Sequence, residues 1–131
     1  MLRHAAIAAV FAAAATLAAM PAHAQDAAAG AKTFVVCRAC HQIGPGAKNM
    51  VGPELNGVVG RKAGSVPGFS YSEANKKSGI TWDEATLTKY LANPQKVVPG
   101  TKMIFGGIHD PAKVQDVIAF LKQYDAQGNK K

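Results

Sequence analysis

Cysteine is almost missing from this chain of 131 residues: there are two, Cys37 and Cys40. Acid is also short, with 8 Asp and Glu against 15 Lys and Arg and a formal net charge of +7. A membrane span needs about 20 apolar residues. The Ala-rich apolar run from Ile7 to Ala19 holds 13, which is too short to span and the right size for a leader. Arg3 gives that run a charged start. Pro21 and the small-x-small tripeptide Ala22-His23-Ala24 follow it, just before Gln25. Residues 1–24 therefore read as a signal peptide cut after Ala24, and residues 25–131 as one exported domain without a membrane anchor. The basic balance asks for an acidic partner, but the lysines are scattered rather than gathered into an arm. Scattered lysines on an exported chain argue against nucleic acid.

The two cysteines stand in Cys37-Arg38-Ala39-Cys40-His41, "CRACH". In an oxidising compartment free thiols do not persist, so the pair needs a use. A thioredoxin-like dithiol wants a preceding strand and a βαβ pattern. Here the preceding residues read as an Ala-rich helix, and no parallel-sheet pattern appears. Structural zinc wants four ligands, and the exported chain offers no third cysteine and one further histidine, His109. Covalent haem attachment fits. Two intervening residues let both sulfurs reach neighbouring vinyl groups from one helical turn, and the adjacent imidazole meets the metal. C-x-x-C-H is the signature of c-type haem.

A haem iron held by one histidine keeps an open face for oxygen or peroxide chemistry, whereas a second strong ligand favours electron transfer. The candidates are Met50, Met103 and His109. Met103 lies in "VPGTKM", a loop stiffened by Pro99 and far in sequence from the cysteines.

Along the chain, Asp26 caps a first helix with Gly30 and Phe34 on one face. Residues 44–68 hold seven glycines and three prolines and read as loop. Thr81-Trp82-Asp83-Glu84 has the form of a capping box before Leu87, Tyr90 and Leu91, and Asn93-Pro94 ends that helix. Asp110-Pro111 opens the last helix, with an apolar stripe of Val114, Val117, Ile118 and Leu121 beside Phe120 and Tyr124. The polar end from Gln127 reads as frayed. So much irregular backbone in a small domain leaves a thin core, which a cofactor can complete.

The stretches "CRACH", "VGPELNGVVGRKAG", "PGFSYSEANK", "GITWDEATLTKYLANP", "VPGTKMIFGGI" and "VIAFLK" resemble the class I cytochromes c, close to the mitochondrial type and the bacterial cytochromes c2. The resemblance runs from about Gly30 to Tyr124. It implies an all-α class I cytochrome c fold, with three main helices and long loops around one covalently bound haem c. It implies Cys37 and Cys40 as the thioether anchors, and His41 and Met103 as the axial iron ligands. A backbone carbonyl near Gly52-Pro53 is expected to hold the His41 ring. Arg61, Tyr71 and Trp82 match residues that meet the haem propionates. Asn75, Tyr90 and Thr101 match polar residues near the methionine.

The implied function is a monomeric periplasmic one-electron carrier and not an enzyme. Its partners would be redox proteins such as a bc1 complex, a terminal oxidase or a photosynthetic reaction centre. The alternative is a haem peroxidase or gas sensor in which the methionine leaves the iron. Lys48, Lys96 and Lys102 match rim lysines of the family, joined by Lys32 and Lys113. The chain departs from the mitochondrial pattern at Val36, which stands where that type has lysine. Met50, Gln95, His109 and Asp110 likewise lie at or near positions often lysine there, so the front face is less basic.

Overall fold

A computed structural model describes residues 9–15 and 25–131. The expected signal peptide lies outside the described residues except for 9–15, which have no regular structure and are exposed. The helices are α1 (Ala27–Phe34), α2 (Glu73–Lys77), α3 (Glu84–Ala92), α4 (Pro94–Val97) and α5 (Pro111–Lys122), with a 3-10 turn at Cys37–Ala39. No strand occurs among the described residues, only the isolated bridges Lys62–Thr81 and Tyr124–Lys130. No helix there is long and apolar enough to cross a membrane.

The Asp26 carboxylate accepts the Ala29 N–H at 3.0 Å and starts α1. Asp110 caps α5 in the same way, with Pro111 in its first turn. Helix α5 buries Val114, Val117, Ile118, Phe120 and Leu121, the expected stripe plus its phenylalanine. Helix α1 lies across it at Gly30. A Cβ on Gly30 would fall 1.9 Å from the Asp116 carbonyl oxygen, so hydrogen alone fits. The Phe34 and Phe120 rings meet beside that contact, their centroids 4.8 Å apart. The Asp116 carboxylate also accepts the Asp26 N–H at 3.0 Å, which ties the start of α1 to the middle of α5.

Three expectations change. Helix α3 starts two residues later than the capping box predicts: Asp83 caps it by accepting the Thr86 N–H at 2.7 Å. Thr81 is taken by the bridge to Lys62, and Trp82 exchanges backbone hydrogen bonds with Gly60 and Arg61, so this stretch is extended. Asn93-Pro94 ends α3 but also begins α4, with the Asn93 side chain accepting the Lys96 N–H. The end of the chain is held rather than frayed. Asp125 accepts the N–H groups of Gln127 and Asn129, and Gly128 is buried against the Gly44 carbonyl. The three main helices are α1, α3 and α5. The shorter α2 and α4 escape a reading based on periodicity, because neither shows two full turns.

Candidate haem site

The 3-10 turn follows α1 after two residues, so the thiols sit at the foot of the α1–α5 crossing. Neither thiol is in a disulfide. Burial, with a smaller contribution from Cys40, pushes the Cys37 thiol up from its ordinary value. Both sulfurs and His41 line one large cavity of about 340 Å³. The ten residues singled out from the sequence all line it: Cys37, Cys40, His41, Arg61, Tyr71, Asn75, Trp82, Tyr90, Thr101 and Met103. Its walls are completed by core side chains such as Phe34, Leu55, Val58, Leu87 and Leu121.

His41 Nδ1 lies 2.7 Å from the Pro53 carbonyl oxygen. A carbonyl only accepts, so Nδ1 carries the proton and Nε2 keeps its lone pair. Burial pulls the imidazole below its ordinary pKa, and nearby Arg61 adds to this against the opposing Pro53 bond. A neutral ring is the form a metal needs. Gly52 makes room for it, since a Cβ there would lie 2.3 Å from the ring.

Met103 is half-buried at the cavity, and the Tyr90 hydroxyl donates to its sulfur at 3.8 Å. Burial raises the Tyr90 pKa, opposed by a hydrogen bond with the Thr101 side chain. The Thr101 hydroxyl also accepts the Met103 N–H at 3.2 Å. The two other ligand candidates lie elsewhere. Met50 is exposed, with its sulfur accepting from Gln42 Nε2 at 3.0 Å. His109 is exposed just ahead of the α5 cap. Neither lines the cavity.

Arg61 donates to the Asn56 and Glu54 carbonyls at 3.0 and 2.9 Å and to the Glu54 carboxylate at 3.4 Å. Burial lowers its pKa and the Glu54 charge opposes that. It thus enters the cavity wall with an anionic partner of its own, which the sequence reading did not foresee. Tyr71 accepts the Val66 N–H at 3.0 Å. Trp82 is buried against Tyr90, ring centroids 4.5 Å apart. Asn75 lines the cavity, and its side-chain oxygen is buried without a hydrogen-bond partner. Ser72 was missed. It is buried, lines the cavity and caps α2 through its hydroxyl. Its S-x-x-N spacing was the available signal.

A cavity that gathers two thiols, a neutral imidazole and a thioether among apolar walls fits a covalently anchored haem, and so defines a c-type haem protein. The Cytochrome c family model matches residues 27–125. Cytochrome c2 of Blastochloris viridis is 57% identical over 111 residues, covering 85% of this chain and 87% of that protein. Cytochrome c-550 of Bradyrhizobium diazoefficiens is 55% identical over 102 residues, covering 78% and 75%. The solved structure of cytochrome cH from Methylobacterium extorquens superposes with a TM-score of 0.70 at 57% identity, covering 75% of this chain and 98% of that one. The chain belongs to the cytochrome c family and has the class I cytochrome c fold. Its family's cofactor is covalent haem c and its family's work is electron transport.

Proposed function

We propose that residues 1–24 are removed on export and that residues 25–131 form a periplasmic one-electron carrier, a monomer and not an enzyme. Cys37 and Cys40 hold the haem through thioethers, and His41 and Met103 ligate its iron. When bound, the haem supplies a metal that takes up and returns one electron. The protein's own groups set the terms. The Pro53 carbonyl fixes which His41 nitrogen is free. Tyr90 and Thr101 hold the Met103 segment. The apolar walls disfavour the extra positive charge of the oxidised state, and a thioether favours the reduced one, so the potential is high for a haem. Tyr71, Trp82 and Arg61, the last paired with Glu54, line the cavity and would give the propionates polar company. A bc1-type complex as donor, and an oxidase or reaction centre as acceptor, suit such a carrier.

One observation carries the reading: the fixed His41 ring and the Tyr90-bonded Met103 sulfur line the same cavity as both cysteines. Two measurements on the exported protein test it. Its mass should equal residues 25–131 plus one haem that acid–acetone does not extract. The oxidised form should show the weak red charge-transfer absorption of a sulfur–iron bond. Lack of that absorption, with rapid binding of cyanide or peroxide, would point to the peroxidase or sensor class.

A further inference from the structure

Among the described residues, the ion pairs Lys76–Glu73, Lys77–Glu73 and Lys122–Glu84 lie in the open, with side chains 42–80% exposed. The Arg61–Glu54 pair is shielded, its side chains 17% and 21% exposed. Solvent and salt screen exposed charges far more than shielded ones. Arg61 lines the cavity. Glu54 does not, although Pro53 and Leu55 on either side of it do. Its carboxylate is held at both oxygens. Oε1 accepts from Arg61 Nη1 at 3.4 Å, and Oε2 accepts the Asn56 N–H at 2.6 Å. The Glu54 backbone is held as well: its N–H donates to Asn49 Oδ1 at 3.0 Å, and its carbonyl accepts from Arg61 Nη2 at 2.9 Å. The Asn56 carbonyl accepts from Arg61 Nη1 at 3.0 Å. The guanidinium is thus turned towards residues 54 and 56, with an anion beside it.

We infer that Glu54 is a positioning residue for the electron chemistry of the site: it holds the Arg61 guanidinium and offsets its charge in the cavity wall, which keeps the potential below the value that an unpaired arginine would set. The inference rests on the carrier reading above. An oxidised haem carries one more positive charge than a reduced one, so a lone cation in the wall favours the reduced form. A carboxylate beside that cation removes the bias. The shielded position keeps the balance from being screened away. Glu54 has a second task. It braces the turn that follows the Pro53 carbonyl, which fixes the His41 ring. Charge and bracing can be separated by substitution, because an amide can replace the bracing oxygen but not the charge.

Potentiometric titration of the exported holoprotein reads the charge, and guanidinium unfolding reads the brace. Glu54→Gln keeps an oxygen for the Asn56 N–H and loses the charge. It should shift the redox equilibrium towards the reduced form by about threefold or more, a rise of about 28 mV at about 59 mV per tenfold. Arg61→Gln tests the same balance from the other partner and should lower the potential. The double variant should lie between the two. Glu54→Asp keeps the charge and should stay closer to wild type than Glu54→Gln. Glu73→Gln removes the same charge from an exposed pair and should move the equilibrium by less than about 1.5-fold. Glu54→Ala leaves the Asn56 N–H without its acceptor and should unfold at lower denaturant than Glu54→Gln. A Glu54→Gln potential at or below wild type overturns the inference and leaves the carrier intact. So do Glu54→Gln and Arg61→Gln shifts in the same direction, or a Glu73→Gln shift as large as that of Glu54→Gln. Equal unfolding of the Glu54→Ala and Glu54→Gln proteins overturns the brace. A wild-type protein without a one-electron couple overturns the carrier reading and this inference with it.

Discussion

The Tyr90 hydroxyl points its hydrogen at the sulfur of Met103 across 3.8 Å, linking α3 to the loop before α5. With Met103 as the proposed ligand, drawing electron density from that sulfur would make it a poorer donor to an oxidised metal. Tyr90→Phe should therefore lower the potential by about 20–40 mV, the equivalent of a weak hydrogen bond of about 0.5–1 kcal/mol. The red charge-transfer absorption should persist. A potentiometric titration reads the shift, and a rise would contradict the donor role.

Gly30 has no room for a methyl group, because its Cβ would collide with the Asp116 carbonyl oxygen and approach Phe120 Cβ at 2.9 Å. Gly30→Ala gains helix propensity but forces α1 off α5. The expected balance is a loss of about 1–3 kcal/mol. Guanidinium unfolding of the holoprotein followed by far-UV circular dichroism gives the value.

Gly52 should matter to the site more than to the fold. Its absent side chain leaves space for the His41 ring, which is within 2.8 Å of where a Cβ would sit. Gly52→Ala should displace that ring from the Pro53 carbonyl and, with His41 the proposed ligand, weaken its hold on the metal. The check is the low-spin optical spectrum as pH is lowered. The variant should turn high-spin at a higher pH than wild type.

Asp83 sets a pH limit on α3. The Thr86 backbone N–H, and then its side chain, hold the carboxyl below its ordinary value of 3.8. A folded pKa below the unfolded one stabilises at pH above the unfolded value, and that contribution fades as pH falls through the folded value. Asp83→Ser keeps a capping oxygen without the charge. Its melting temperature should fall less steeply than wild type between about pH 5 and pH 2, with the two closest at the acid end. Differential scanning calorimetry across that range decides it.

The chain end should contribute to stability. Gly128 has φ +84, and a Cβ there would meet the Gly44 carbonyl oxygen at 2.1 Å. Gly44 is itself gripped by Asn56, which accepts its N–H at 2.8 Å and donates to its carbonyl at 3.0 Å. Gly128→Ala should lower the melting temperature by several degrees, whereas an alanine at the exposed neighbour Gln127 should not.

Much of the site was legible because its chemistry is local. Two thiols and an imidazole within five residues point to their use before any fold is known, and Pro99 marks the loop that brings Met103 to the cavity. The helices whose ends carry strong signals, Asp26 for α1 and Asp110-Pro111 for α5, begin where the sequence places them. What stayed hidden depends on residues distant in sequence. Thr81 looks like a cap until Lys62 pairs with it. Gln127 to Lys131 look loose until Gly44 receives Gly128. Arg61 looks free until Glu54 turns towards it. Spacing along the chain cannot report pairings of that kind.

The meeting of Gly30 with Asp116 has a topological result. It fastens the two ends of the domain and turns the intervening backbone into a closed ring, with the cavity-lining residues from Cys37 to Met103 strung along its inside. A ring locked at its clasp can let one stretch lift without unravelling. The α1–α5 contact does not pass through the stretch bearing Met103, so local opening of that stretch would leave the clasp intact.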